Sequence, residues 1–335
     1  MEYLERAFAR YGIEVKHVYA DDNTRFDRFI IRRINKFAHS LRFLPKSRNL
    51  FEQHPWAHRN FRSENLMRAY TESSPDLVFL VRGLNFRVDI LKRISPLFGW
   101  WVEHEGRIGE ALAEIANFDG YFFMNESCVD AAREAGFANA SYLAHAVDLQ
   151  GFYPLPESEK KYDICFVGNW SAKRQLFVEA ALKVSPNLAL YGGKWLGKCW
   201  NKPSIIRCWK GSYVEGEDLN RLYNVSRVVL NVTNWGKGQG KSRSGMNMRV
   251  LEVPATGSFL LTDESKELDS FLTPGVHVGI YNDLEDFPVM LRRYLENQTE
   301  REAIAVAGLS HVRERHTYDH VAREVINRYR EWVKI

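Results

Sequence analysis

The chain has 335 residues, 45% of them hydrophobic and 13% aromatic, with a formal net charge of +4. That length suits two domains better than one core, and the apolar content excludes a disordered chain. No apolar run approaches the roughly 20 residues of a membrane-spanning helix, and the opening Met-Glu-Tyr-Leu-Glu-Arg lacks the apolar stretch of a signal peptide. The four cysteines (Cys128, Cys165, Cys199, Cys208) have no metal-like spacing and read as reduced thiols, which predicts a cytoplasmic protein.

The pattern opens on a helix over 1–11, with Gly12 as its stop and a strand over 13–19. A Rossmann-like half ordinarily begins on a strand, and that first strand is missing from the pattern. Phe26, Phe29, Ile30, Ile34, Phe37, Leu41 and Leu44 then form a helical stripe, with Arg28, Arg32, Arg33 and Arg42 beside it. The favoured expectation is a helix packed on the core with a solvated basic face. The alternative is a surface that docks on anionic lipid or nucleic-acid phosphate. From Arg25 to Arg68 there are eleven Lys/Arg and three acidic residues, so this part is suited to an anionic partner. Residues 45–68 read as irregular, with Pro45 and Pro55 as breakers.

From Asp76 the pattern alternates strand and helix. Strands fall at 77–81, 98–102 and 120–124, helices at 88–94, 108–116 and 128–135, and 141–147 closes the half. A second alternation follows, with strands at 163–167, 187–191 and 228–232 and helices at 175–184 and 219–224. Such repetition predicts parallel sheets with helices on both faces and ligands beyond the carboxyl ends of the strands. In the first half that rule selects Arg82-Gly83, Glu103-His104-Glu105, Asn125-Glu126 and His145 to Asp148. The Pro154 to Lys161 stretch is polar and reads as a linker over 153–161, between an N-terminal domain over 1–152 and a C-terminal domain over 162–316. Near the end, Thr299-Glu-Arg-Glu302 reads as a capping box, and Tyr318, Val321, Val325, Tyr329 and Trp332 as one helical stripe.

The chemistry concentrates between residues 236 and 263. A Gly-rich basic loop, Gly236-Lys-Gly-Gln-Gly-Lys-Ser-Arg-Ser-Gly245, leads into a helix and then a buried strand from Phe259. Glycine lets backbone N–H groups approach a ligand, and a helix start suits a diphosphate. Arg249 and Glu252 share a helix face, the first suited to phosphate oxygens and the second to two ribose hydroxyls. The run reads as a seat for a nucleotide diphosphate.

The segment Asn247-Met-Arg-Val-Leu-Glu-Val-Pro-Ala-Thr-Gly-Ser-Phe-Leu-Leu-Thr-Asp263 resembles the donor-binding part of group 1-type glycosyltransferases, closest to the spore-maturation (CgeB-like) branch. His277-Val-Gly-Ile-Tyr-Asn-Asp-Leu284, His316-Thr-Tyr318 and Tyr162-Asp-Ile-Cys-Phe-Val-Gly-Asn-Trp170 extend the resemblance over most of the chain beyond about residue 75. It implies the α/β GT-B architecture: two Rossmann-like parallel-sheet domains facing a central cleft, with the helix over 317–335 crossing back to the first. It implies a donor pocket in the C-terminal domain, formed by Gly168, Lys173, Arg174, Lys241, Arg243, Asn247, Arg249 and Glu252. Asn169 stands where many relatives carry Arg, and Ser244 where the larger family often has the first of two Glu residues eight apart. The resemblance further implies a nucleoside-diphosphate sugar as co-substrate, no essential metal, and retention of anomeric configuration. No Asp-x-Asp sits at a strand end; Asp21-Asp22 is the nearest approach.

For the acceptor side, Glu103, His104 and Glu105 form the best cluster for proton handling or acceptor positioning, since flanking carboxylates raise and orient a histidine. Equally, they read as ordinary charges leading into a helix. The acceptor expected from the basic segment 25–68 is anionic: a glycan, a lipid-linked intermediate or modified DNA, with peripheral membrane contact. Two other readings stand beside the enzyme: a non-catalytic sugar-nucleotide binder or assembly protein, and a nucleic-acid-binding protein using 25–68.

Overall fold

The computed structural model describes residues 2–19, 24–45, 48–82, 86–103, 105–156, 159–233, 247–265 and 268–334. The chain divides into two compact units. One comprises Met1–Ala144 with Ala322–Ile335, the other His145–Val321. The division falls at Ala144/His145, ahead of the stretch expected to be a linker. Tyr153, Leu155 and Lys160 are fastened within the second unit: Asn220 and Asn224 accept from the Tyr153 and Leu155 amides at 3.1 and 2.8 Å, and Lys160 donates to the Asn224 carbonyl.

The first unit holds a four-stranded parallel sheet, β1 (Val78–Val81), β2 (Leu97–Trp101), β3 (Gly120–Phe123) and β4 (Ala140–Tyr142), in the order β1-β2-β3-β4. Every residue of β2 and β3 is buried, so the strands read as continuous apolar runs, as expected of a parallel sheet covered on both faces. Gly99 is required by packing: a Cβ there would lie 2.6 Å from the Tyr121 ring. The helix Glu2–Arg10 buries Leu4, Ala7 and Phe8, and Phe8 meets Phe79 of β1 edge-on. The strand expected over 13–19 is not formed.

Two expectations for the basic segment fail. Residues expected to be irregular form a sixteen-residue helix, His58–Ser73. Its buried face carries Asn60, Arg62 and Ser63 beside Leu66, so it has little apolar periodicity to read. Hydrogen bonds satisfy that face instead: Ser63 accepts from the Arg87 amide, and Asn60 donates to the Glu52 and His54 carbonyls. The stripe over 26–44 is helical, Asp27–Ile31 continuing into Arg32–Ser40, but the buried positions are Asp27, Ile31, Asn35 and Ala38. Phe29, Ile30, Ile34, Phe37 and Leu41 are exposed. The helix is held by polar contacts: the Asp27 carboxylate accepts from Arg32 at 2.7 Å and from the His58 amide at 3.1 Å. Asn35 exchanges hydrogen bonds with the Leu50 backbone.

The second unit holds six parallel strands: β5 (Tyr162–Val167), β6 (Leu188–Tyr191), β7 (Trp209–Gly211), β8 (Ser226–Asn231), β9 (Leu260–Asp263) and β10 (Gly279–Tyr281). Their order is β10-β9-β8-β5-β6-β7. The chain therefore builds outward from β5 to β7, returns to the other side of β5, and builds outward again. The reversal lies between β5 and β8, and crevices at such reversals hold ligands. The core combines Phe166, Leu190, Val228, Leu230 and Leu261 with Phe177, Tyr281 and Phe287. The helix Gln298–Arg315 is capped by Asn297, whose side chain accepts from the Glu300 amide while donating to the Glu300 carboxylate. The reciprocal cap thus starts at Asn297, two residues before the expected Thr299, and its acid is Glu300. The last helix, Tyr318–Val333, belongs to the second unit through Val321 and to the first from Ala322.

Candidate active site

The carboxyl end of β5 leads into the turn Gly168-Asn169. Gly192, after β6, has φ +145°, and a Cβ there would lie 2.0 Å from the Gly168 carbonyl oxygen. Only glycine lets the two turns touch. Side chains complete the brace: Trp195 donates to the Gly168 carbonyl at 2.8 Å, Trp209 to the Gly192 carbonyl at 3.1 Å, and the Gly193 amide to the Asn169 side-chain oxygen at 2.8 Å. Asn169, standing where the resembled family often carries Arg, is thus a structural tie. Two of the five tryptophans of this half brace the same turn, while Trp200 is 78% exposed.

The braced turn sets the start of the helix Ala172–Val184, whose N-cap Ser171 accepts from the Arg174 amide. Its first turn carries Lys173 and Arg174 towards the end of β8. Arg174 donates through Nε to the Val232 carbonyl at 3.1 Å and through one terminal nitrogen to the Asn169 carbonyl at 2.9 Å. Its second terminal nitrogen has no hydrogen bond among the described residues. Burial, reinforced by Arg249, lowers the Arg174 pKa to about 10, so the guanidinium stays charged at neutral pH. Lys173 donates to the Thr233 carbonyl at 3.0 Å and to the Asp263 carboxylate at 2.9 Å.

Asn231, the last residue of β8, ties the other side together. Its Nδ2 donates to Thr262 at 2.9 Å, and its Oδ1 accepts from Asn247 at 2.9 Å and Arg249 at 2.7 Å. The Tyr281 hydroxyl donates to its carbonyl at 2.8 Å. Asp263, ending β9, accepts from the Thr233 amide and hydroxyl as well as from Lys173. The buried Asn247 Oδ1 has no partner among the described residues.

Arg249 opens the seven-residue helix Arg249–Ala255, with Glu252 one turn on. Burial pushes the Glu252 carboxyl up to about 7, against the opposing pull of Arg249. Gly168, Lys173, Arg174, Asn247, Arg249 and Glu252 therefore belong to the β5/β8 reversal and the helix beside it. Lys241, Arg243, Lys237, Ser244, Trp235 and the rest of the Gly-rich loop lie outside the described residues, as do His104, Gly83 and Asp21-Asp22. Sequence reasoning missed Asn231, Thr233 and Asp263. The carboxyl-end rule applied to the first half would have found all three, since each ends or follows a strand.

In the first unit, Arg82, Glu103 and Asn125 occupy the carboxyl ends of β1, β2 and β3. Glu103 is gripped by Arg82 at 2.7 Å and Arg107 at 3.1 Å, and Glu105 accepts from Ser127 at 3.0 Å. Arg82 sits at φ +61° with its buried Nε unpartnered among the described residues. His145 falls in the second unit, where burial lowers its pKa to about 4. Among the described residues no group of three or more His, Cys, Asp or Glu is placed to hold a metal ion.

Residues 173–327, which include Lys173, Arg174, Asn231, Arg249, Glu252 and Asp263, match the model of a family described as glycosyl transferase-like. No curated protein matches the chain. Solved structures resemble it at low identity. Sucrose-phosphate synthase from Thermosynechococcus elongatus superposes with a TM-score of 0.65 at 13% identity, over 87% of this chain and 80% of that one. Anabaena HepE, solved with UDP-glucose, gives 0.59 at 10% identity over 79% and 81%. AviGT4, a glycosyltransferase involved in avilamycin A biosynthesis, gives 0.58 at 16% over 83% and 79%. The fold is the α/β, GT-B fold of glycosyltransferases.

Proposed function

We propose that this protein transfers a sugar from a nucleoside-diphosphate sugar to an anionic acceptor, with the donor held at the β5/β8 reversal. The observation that carries the reading is the convergence of Arg174 and Arg249 with the half-buried Glu252, inside the region matching the glycosyl transferase-like family. Arg174 brings a charged, partly unengaged guanidinium and Arg249 a second cation, suited to the two phosphates of the donor, with Lys173 beside them held by Asp263. Glu252 is suited to accept from the ribose hydroxyls. As the glycosidic bond breaks, negative charge grows on the leaving diphosphate, and fixed cations already in place stabilise it without reorganisation. That supports a metal-independent transfer. The resemblance of 247–263 and 277–284 to the CgeB-like branch supports retention of configuration. Free, buried cysteines support a cytoplasmic setting.

Anabaena HepE has been solved with UDP, with UDP and glucose, and with UDP-glucose, which makes uridine nucleotides the first donors to test. A second reading, a sugar-nucleotide binder without transfer, is favoured by Asn169 serving as a brace and by Glu103 being occupied by two arginines. The test is a thermal-shift panel of UDP-, GDP-, ADP-, CDP- and dTDP-sugars on the wild type and Glu252→Ala, followed by donor-turnover assays. A ligand at a hundred times its Kd stabilises by about 2.7 kcal/mol. One base standing out, with the shift lost in the variant, supports the donor site, and turnover decides between enzyme and binder. A flat panel at millimolar ligand overturns the assignment.

A further inference from the structure

The helix Asp27–Ile31 continuing into Arg32–Ser40 is amphipathic in the wrong sense for a core element. Its buried positions are mostly polar or small, while Ile30, Ile34, Phe37 and Leu41 recur at spacings of four, three and four and face solvent. Phe37 is 66% exposed, Phe29 53%, and Phe43, just past the helix, 79%. Large side chains grouped on one exposed face mark a surface that is covered in use.

What covers it follows from the charges alongside. Arg28, Arg33, Lys36 and Arg42 are exposed, and none is paired with a carboxylate among the described residues. The two acids nearest are already engaged: Asp27 by Arg32 and the His58 amide, Glu52 by Asn49. Behind the basic side lies a cavity of about 800 Å³, lined by Lys36, Arg59, His39 and His58 among others. Arg59 uses Nε on the Phe86 carbonyl, leaving its two terminal nitrogens without a hydrogen bond among the described residues. An aliphatic and aromatic stripe flanked by unpaired cations is the composition of a helix lying in a bilayer interface, apolar side down and basic side towards anionic headgroups. A nucleic-acid surface would use the cations but leave the stripe in water. Among the described residues no helix is long and apolar enough to cross a membrane.

We propose that the helix Asp27–Ile31 continuing into Arg32–Ser40, with Phe43 and Arg59 beside it, docks this protein on anionic lipid bilayers, with Phe29, Phe37 and Phe43 entering the interface and Lys36 and Arg59 receiving lipid phosphate. This inference does not rest on the donor-site reading. The test is co-sedimentation of the full chain with sucrose-loaded vesicles of phosphatidylcholine alone or with 30% phosphatidylglycerol. The wild type, F37S/F43S and R28E/R33E are compared, with melting curves confirming that each folds. Binding to the anionic vesicles only, weakened at least tenfold in both variants, supports the docking surface. No binding at millimolar lipid overturns it, as does binding unchanged in F37S/F43S. A wild-type dimer in light scattering that F37S/F43S dissociates would assign the stripe to a second copy. Duplex DNA affinity that survives F37S/F43S and exceeds vesicle affinity would assign the cations to nucleic acid. Either result overturns the proposal.

Discussion

Arg249 donates to the Asn231 side-chain oxygen at 2.7 Å, and the same oxygen receives Asn247 at 2.9 Å. One amide at the end of β8 therefore sets two residues of the candidate donor site, and its Nδ2 reaches β9 through Thr262. Asn231→Ala leaves Arg249, Asn247 and Thr262 without this partner in a largely buried setting. We expect a loss of about 3 kcal/mol in denaturant unfolding of the second unit. Nucleotide-sugar affinity should fall at least tenfold by calorimetry. Unchanged affinity would remove Asn231 from the site.

Glu252 links binding to pH. Burial raises its carboxyl to about 7, and ribose hydroxyls donating to it would favour the ionised form. Nucleotide binding should then release a proton below neutrality, with affinity rising as pH increases from 6 to 8. Calorimetry in buffers of different ionisation enthalpy measures that proton directly. In Glu252→Gln the pH dependence should vanish and the affinity should stay at or below the low-pH value.

Much of this site was legible because its parts are local. The run 247–263 is continuous in sequence, and Gly168 to Arg174 follow one strand. The carboxyl-end rule reaches Asn231 and Asp263 as positions, but their partners could not be read, because these form only once β8, β9 and the helix Ala172–Val184 are brought side by side. The strand alternation of both halves was legible because buried parallel strands are apolar runs. The helix His58–Ser73 was not, because hydrogen bonds to Asn60 and Ser63 replace an apolar stripe. The helix over 27–40 misled for the opposite reason. Its periodicity is real, but the apolar side faces outward, and period alone does not say which side is buried.

Gly192 tests the brace behind the donor site. Its φ of +145° and the 2.0 Å approach of a Cβ to the Gly168 carbonyl leave no room for a side chain. Gly192→Ala should cost more than about 3 kcal/mol, combining backbone strain with displaced turns. The melting temperature and nucleotide affinity should fall together, whereas Gly197→Ala, with open space around its Cβ, should change neither.

His316 gives the second unit an acid-sensitive point. Burial, then the nearby His311, lowers its pKa to about 4, and its ring lies 5.3 Å from His311 and 5.1 Å from Phe271. The unfolded chain takes up a proton near 6.5 that the folded one refuses until about 4. Stability from this group is complete above 6.5 and is lost as pH falls from 6.5 to 4, by up to about 3 kcal/mol. Urea unfolding at pH 7.5 and 4.5 should show that slope, reduced in His316→Phe. An equal slope in both would assign the acid sensitivity elsewhere.

Glu114 works with the opposite sign in the first unit. It is 6% exposed and accepts from the Tyr121 hydroxyl. Burial raises its carboxyl to about 7, with the tyrosine bond pulling the other way. In the unfolded chain the proton leaves near 4.5, so stability falls as pH climbs from about 4.5 through 7. Above that the buried carboxylate costs about 3 kcal/mol relative to low pH. Glutamine keeps an acceptor oxygen for Tyr121 and has no charge to bury. Glu114→Gln should therefore melt higher than the wild type at pH 8, with the advantage shrinking towards zero at pH 4.5. A variant less stable at both pH values would mean that the ionised carboxylate is held by partners strong enough to repay its burial.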